Sequence, residues 1–348
     1  MAFKAAILGA SGYTGGELLR LLALHPEMEV VYASSREYRG KPIHYAHPAL
    51  QGYYRGLRYQ DLSLEAILSV EPDIVFNALP HTVGAALTGE LYDAGLTIVD
   101  LSADYRLASL EEYEKWYGEH PRPDLLGKSV YGLPELHREE LRGAKLIAAP
   151  GCNATAAILA AAPLALLPGV EWFIVDVKVG SSEHGSKPAR GTHHPEREGS
   201  ARPYSGEGHR HEAEAEQELS RLASHRVRVS LVPHAVPLTR GALASAHTLP
   251  GEPVDVQSVS RAYSRFYRGA RFVRIARFGP LKYPDVKNVV GSNYADVGYA
   301  VDSRTGRVSG FAAIDNLVRG AAGQAIQSLN IALGLPEDLG LSMPPLRP

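Results

Sequence analysis

A single cysteine, Cys152, stands in a chain of 348 residues. That scarcity excludes an internal disulfide framework and any multi-cysteine metal site, and it fits a reducing compartment. Charge of one sign is lacking as well. The 36 Lys and Arg nearly balance 38 Asp and Glu, leaving a formal net charge of −2. Such a balance gives no global reason to expect nucleic acid or an anionic membrane as partner. Long hydrophobic runs are missing, with nothing near the roughly 18 apolar residues of a membrane span. The opening MAFKAAILGASGYTGG carries a short apolar segment straight into a glycine loop, without the apolar length or cleavage site of a secretory signal. A cytoplasmic protein is expected. Hydrophobic residues at 45% and charged residues at 21% are ordinary for a globular chain. The length exceeds one ordinary core, so two domains are expected.

What is present first is an alternation of short β-rich runs and helical stretches. Phe3–Leu8 predicts a strand, and Gly16–Leu24 repeats leucine at helical spacing. Strands are predicted at Met28–Ala33, Asp73–Ala78 and Thr97–Leu101, with helices at Leu64–Val70 and Val83–Asp93 between them. Continuous apolar strands separated by helices indicate an α/β, Rossmann-like, doubly wound parallel sheet. After Ala149 the texture changes. Thr155–Leu167 reads as a small-residue helix kinked or broken near Pro163. Trp172–Val179, Arg226–Val232, Ala242–Thr248 and Ala295–Val301 read as strands of a mixed sheet, which predicts a second, α+β domain. Residues 181–210 are polar and lack periodicity, as a functional loop would. Ile314–Leu333 reads as one long helix of small residues, able to pack closely against the first domain.

Three segments carry the chemistry. Gly9-Ala10-Ser11-Gly12-Tyr13-Thr14-Gly15 lies between the first strand and the first helix, where glycines let backbone N–H groups approach a pyrophosphate. Its GxxGxxG spacing departs from the usual GxGxxG. Ser34-Ser35-Arg36 follows the second strand, where an acidic residue would select NAD; two hydroxyls and a guanidinium suit a 2′-phosphate, so NADP is expected. Pro150-Gly151-Cys152-Asn153 places the cysteine at a helix start, where the backbone dipole stabilises a thiolate. Taken alone, a single cysteine is more often an inert core residue. A thiolate also needs a proton-moving partner, and His209, His211 and His234 are open choices. Metal binding by His193-His194 or by His209 with His211 is not favoured, because the ligand spacing of a zinc site is absent. From His184 to His211 the loop holds five Lys and Arg, five His and three acidic residues, a local positive bias.

Together these residues resemble the N-acetyl-γ-glutamyl-phosphate reductase family, within the wider group that includes aspartate semialdehyde dehydrogenase. The resemblance covers essentially the whole chain and rests on GASGYTGGELLRLL, SSREYRGKP, DLSADYRL, YGLPEL, PGCNAT, GHRHEAE, PHAVPLTRG and DNLVRGAAGQAIQ. It implies an NADP-binding Rossmann domain over 1–150, a catalytic and oligomerisation domain over 151–315, and a C-terminal helix over 316–348 returning to the first domain. It implies that Ser11 to Thr14 and Ser34 to Arg36 hold NADP, with Asn316 near the nicotinamide. Cys152 becomes the nucleophile, His211 or His209 the acid–base group, with His234 third. Arg106, Asn153, Gly180, Ser181 and Ser182 line the substrate and phosphate site.

Two departures separate the chain from the arginine-pathway pattern. Asn153 stands where a tyrosine is usual, and SSEHGSKPARGTHHPER replaces a short Ser-Gly-Ala-Gly run. Both look like the lysine-pathway branch, which reduces an aminoadipyl phosphate capped by a small acidic amino-group carrier protein. The implied partners are that carrier protein, or free N-acetylglutamyl phosphate, and a second or further copies of the chain in a homodimer or homotetramer. Rival readings are a non-catalytic NADP-binding module and a cysteine hydrolase. The first would leave Cys152 buried and inert; the second would leave the glycine loop without a purpose.

Overall fold

A computed structural model describes residues 2–276 and 282–347. The chain divides into two compact units, one of residues 1–150 with 321–342 and one of residues 151–320 with 343–348. The expected break at 315/316 therefore falls five residues later, and the last six residues belong to the second unit.

The first unit opens with β1 (Phe3–Leu8), α1 (Tyr13–Leu22) and β2 (Met28–Ala33). It continues through α2 (Leu64–Leu68), β3 (Ile74–Asn77), α3 (Ala85–Asp93), β4 (Thr97–Asp100), α4 (Leu110–Tyr117), β5 (Val130–Tyr131), α5 (Pro134–Leu141) and β6 (Leu146–Ala148). The strands pair in the order β2-β1-β3-β4-β6-β5, and every pairing is parallel. All four residues of β3 and of β4 are buried, as strands covered on both faces require. Chain direction across the sheet reverses between β1 and β3, which opens a crevice beyond their carboxyl ends.

The second unit holds α6 (Cys152–Ala165), β7 (Trp172–Val179), α7 (His194–Arg197), β8 (Arg202–Pro203), α8 (His211–Ala223), β9 (Arg228–Ala235) and β10 (Ala242–Thr248). After these come α9 (Val256–Phe266), β11 (Val273–Ile275), β12 (Ala295–Asp302) and β13 (Arg307–Ile314). The sheet runs β11-β12-β13-β10-β7-β9-β8, with β7/β9 and β11/β12 parallel and the other pairs antiparallel. Helices α6, α8 and α9 cover one face. The final helix, α10 (Gly323–Ala332), belongs to the first unit, against α5, β4 and β6.

Two sequence expectations are corrected. Helix α6 is not broken at Pro163 but runs through to Ala165. Proline at 163 has no N–H for the Leu159 carbonyl, and the Tyr267 hydroxyl bonds that carbonyl instead. Every residue from Asn153 to Ala165 is buried, so the helix is apolar on all sides, as a central core helix is. Its alanines let β13 approach until a side chain at Gly310 would collide with the Ala160 carbonyl.

The stretch from Ile314 to Leu333 is also not one helix. Strand β13 extends to Ile314, a wide π-turn spans Val318–Ala322, and only then does α10 begin. Buried Asp315 forces the change: its carboxylate accepts the N–H groups of Leu317 and Val318, while the Gly320 N–H reaches back to the Asp315 carbonyl. Small-residue periodicity looks alike on either side of such a turn. The loop over 181–210 contains short 3-10 turns, α7 and the two-residue β8. No helix among the described residues is long and apolar enough to cross a membrane.

Candidate active site

In the first unit, the turn after β1 is built by its glycines. Gly9 sits at φ +76°, and a Cβ there would lie 2.7 Å from the Ala78 carbonyl oxygen at the end of β3. A Cβ on Gly15 would come within 2.5 Å of the Gly9 oxygen, so α1 starts directly against the turn. Gly12 differs: its Cβ would meet only the Gly9 oxygen at 3.6 Å. That leaves the outer side of the turn open, which is the space a pyrophosphate occupies at a helix N-terminus. Tyr13 stands about half exposed at the first position of α1, with Thr14 beside it.

Ser34 and Ser35 are buried and tied into this turn. The Gly9 N–H donates to Ser34 Oγ at 3.0 Å, and the Ser11 and Ser35 hydroxyls are 2.8 Å apart. The Tyr38 N–H donates to Ser35 Oγ. Arg36 is exposed, whereas the hydroxyls of Ser34 and Ser35 are engaged within the turn. Among side chains the sequence analysis did not mark, His47 joins this frame through a 2.8 Å bond to the Ala10 carbonyl.

Arg106 is buried, and its guanidinium donates to the carbonyls of Ala149 at 2.7 Å and Leu101 at 2.9 Å. It fastens the end of β4 to the end of β6. Asp104, also buried, accepts the Thr82 N–H on both carboxylate oxygens and the Tyr113 hydroxyl. Burial pushes the nearby Asp100 carboxyl up to about 6.

In the second unit, Cys152 is the first residue of α6, half-buried at the positive end of a 14-residue helix. Asn153 Oδ1 lies 3.7 Å from its sulfur, and Asn153 Nδ2 donates to the Tyr204 hydroxyl at 3.2 Å. Buried Glu214 braces the turn before the cysteine by accepting the Gly151 N–H at 3.0 Å. Its other oxygen is 3.8 Å from His211 Nε2. The rings of His211 and His209 are 4.6 Å apart, and His209 is 6.0 Å from Tyr204. A closed circuit of Cys152, Asn153, Tyr204, His209, His211 and Glu214 results, spread over α6, the residue after β8, and the start of α8. Burial, reinforced by Arg210, pushes the His209 imidazole down to about 4. Its Nδ1 receives the His211 N–H, so the neutral ring carries its proton on Nε2.

The remaining expected residues divide differently. His234 points to the sheet face opposite α6, 3.7 Å from Asp176, because strand side chains alternate. The N–H groups of Gly180, Ser181 and Ser182 are all given to carbonyls of Gly241, Leu238 and Thr239, so any anion there meets hydroxyls rather than an amide nest. Asn316 is buried with both ends engaged, accepting from the Gly241 N–H and donating to Ser182 Oγ. The structure thus places it as a brace of the Gly180–Ser182 turn. Gly320 was not singled out by sequence, yet a Cβ there would stand 2.7 Å from Cys152 Cβ. Glu214 had a faint signal, the three-residue helical spacing after His211. Tyr204 had none.

The family model described as semialdehyde dehydrogenase, NAD binding domain, matches residues 4–144, and that described as semialdehyde dehydrogenase, dimerisation domain, matches residues 152–316. A [LysW]-L-2-aminoadipate/[LysW]-L-glutamate phosphate reductase of Saccharolobus solfataricus is 55% identical, covering 99% of this chain and 98% of its own. A putative protein of the same description from Aeropyrum pernix is 57% identical over 100% of this chain and 99% of its own. Among solved structures, aspartate semialdehyde dehydrogenase II of Vibrio cholerae aligns with a TM-score of 0.72 at 16% identity, over 96% of this chain and 99% of that one. Aspartate semialdehyde dehydrogenase with NADP from Candida albicans gives a TM-score of 0.72 at 18% identity, over 97% and 100%. At such identities these two speak for the fold.

Proposed function

The chain belongs to the semialdehyde dehydrogenase family, within its group of [LysW]-L-2-aminoadipate/[LysW]-L-glutamate phosphate reductases, and from that premise we propose that it reduces a carrier-linked acyl phosphate to a semialdehyde with NADPH. The substrate is L-2-aminoadipate 6-phosphate held by its amino group on a small acidic carrier protein. The observation that carries this reading is the circuit of polar side chains closed around Cys152 at the start of α6. The positive bias of residues 184–211 supports an acidic carrier as the thing gripped. The names of the relatives join aminoadipate with glutamate, which favours a second, shorter carrier-linked substrate over free N-acetylglutamyl phosphate.

The chemistry divides among the residues. The Cys152 thiolate attacks the acyl carbon, inorganic phosphate leaves, and a thioester remains. NADPH, held by the glycine turn and the Ser34–Arg36 segment, would supply the hydride for its reduction. The resulting thiohemiacetal oxyanion needs a donor, then collapses to aldehyde and thiolate. His209, held in the Nε2–H form and resistant to protonation, suits the role of neutral donor. His211, braced by Glu214, suits the acid–base role. Gly9, Gly12, Gly15, Ser11, Tyr13 and Thr14 present the pyrophosphate turn, and Ser34, Ser35 and Arg36 the 2′-phosphate.

The test is phosphate-dependent reduction of NADP+ in the reverse direction with two aldehydes. One is aminoadipate semialdehyde on the carrier protein and the other is free N-acetylglutamate semialdehyde. A strong preference for the carrier-linked aldehyde is expected; preference for the free one overturns the carrier assignment. For the cofactor, Arg36→Ala is expected to raise the KM for NADPH about tenfold, the loss of one charge-assisted phosphate contact, while leaving NADH turnover unchanged. An equal effect on both cofactors would show that Arg36 does not read the 2′-phosphate.

A further inference from the structure

Asn153 faces the sulfur with the wrong atom for a thiolate. Its carbonyl oxygen, Oδ1, is 3.7 Å from Cys152 Sγ, while its NH₂ is turned to the Tyr204 hydroxyl at 3.2 Å. That orientation suits a neutral thiol, which donates its S–H to the oxygen, and opposes a sulfur anion. Asn153 is 2% exposed, so water does not substitute for either partner. Turning the amide half a revolution about its Cβ–Cγ bond exchanges the two ends without moving the backbone. The NH₂ then points to sulfur and Oδ1 to Tyr204. A phenol both accepts and donates, so Tyr204 satisfies the amide in either orientation: it accepts from Nδ2 in one and donates its O–H to Oδ1 in the other.

We propose that Asn153 and Tyr204 form a reversible amide switch that accepts from the Cys152 thiol in the resting state and flips to donate to the thiolate during turnover. The inference rests on the reading of Cys152 as the nucleophile. In the balanced step, the S–H bond breaks, the proton passes to the His211 imidazole, and the amide turns so that an N–H group meets the anion. The charged and titratable groups around the switch are His209, His211 and Glu214 on the α8 side, with Glu183 and Arg210 acting on Tyr204 with opposite sign. Glu214 is committed to the Gly151 N–H and lies beside His211, so Asn153 is the group adjoining the sulfur whose amide can invert at no cost to its neighbour.

Because Cys152 is the sole cysteine, the pH profile of iodoacetamide alkylation of the full-length protein reports its thiolate alone. Asn153→Leu is expected to move the profile's midpoint upward by about one unit, which is roughly tenfold less thiolate at a pH below it. Tyr204→Phe is expected to move it the same way by less, about threefold. A midpoint that stays put or falls in Asn153→Leu overturns the proposal; should that variant not fold, an unmoved midpoint in Tyr204→Phe does so. The measurement needs no substrate. Failure of the reductase reading would appear instead as absent phosphate-dependent activity in the wild-type protein with the alkylation shift intact.

Discussion

Cys152→Ser is expected to reduce acyl-phosphate reduction by at least about 10³-fold while NADP+ binds with unchanged affinity. The argument begins with ionisation. A thiol near its ordinary pKa of about 8.5 is within reach of a helix dipole and a hydrogen-bonding amide, whereas a serine hydroxyl stays protonated in the same place. Cys152 begins α6, which sets its sulfur at the positive end of the helix. The second reason is the intermediate. A serine ester is a poorer hydride acceptor than a thioester, so any acyl-enzyme that formed would stall before the aldehyde. Binding of NADP+ is spared because the glycine turn and the Ser34–Arg36 segment lie in the other unit. Steady-state turnover together with a fluorescence titration of NADPH checks both halves. A serine variant retaining a tenth of the activity would show that the cysteine is not the nucleophile.

Gly320→Ala is expected to lower turnover about 10²-fold, again with cofactor affinity retained. The added methyl would lie 2.7 Å from Cys152 Cβ and 3.1 Å from Cys152 Cα, with Ile314 Cδ1 at 3.3 Å on its other side. Neither cysteine atom can yield without moving the start of α6, and that helix is buried throughout from Asn153 onward. Gly320 cannot retreat either, since its N–H is fixed to the Asp315 carbonyl in the π-turn and Asp315 is itself fully buried. The nucleophile is therefore pushed off its position, and a displacement approaching 1 Å is worth about 10²-fold in rate. Parallel measurement of kcat and of Cys152 alkylation checks this. Wild-type kcat in a folded Gly320→Ala protein would mean that the π-turn adjusts freely and does not position the thiol.

Much of the first unit was legible in the sequence because its signals are local. A strand, three glycines and an amphipathic helix occur in immediate succession from Phe3 to Leu22, and the apolar strands that follow repeat the pattern. The second unit was read less completely. Helices α4 and α5 and strands β5 and β6 of the first unit were not predicted, nor were α7, β8, α9, β11 and β13 of the second. Pro163 suggested a break that the distant Tyr267 hydroxyl prevents. Asp315 ends one element and shapes the next within a stretch whose small residues look uniformly helical.

The sequence by itself determined the parallel sheet of the first unit, the glycine turn after its first strand and the placing of the sole cysteine at a helix start. Each depends on residues within a few positions of one another, where backbone geometry dictates the outcome. Only the tertiary structure decided what surrounds the sulfur. Asn153 meets Tyr204 across 51 positions, Gly151 meets Glu214 across 63, and Asn316 reaches Ser182 across 134. It also separated the histidines, assigning His209 the Nε2–H form and sending His234 to the far face of the sheet. Such contacts follow from how strands and helices pack, and no periodicity in the chain records which distant side chains the packing brings together.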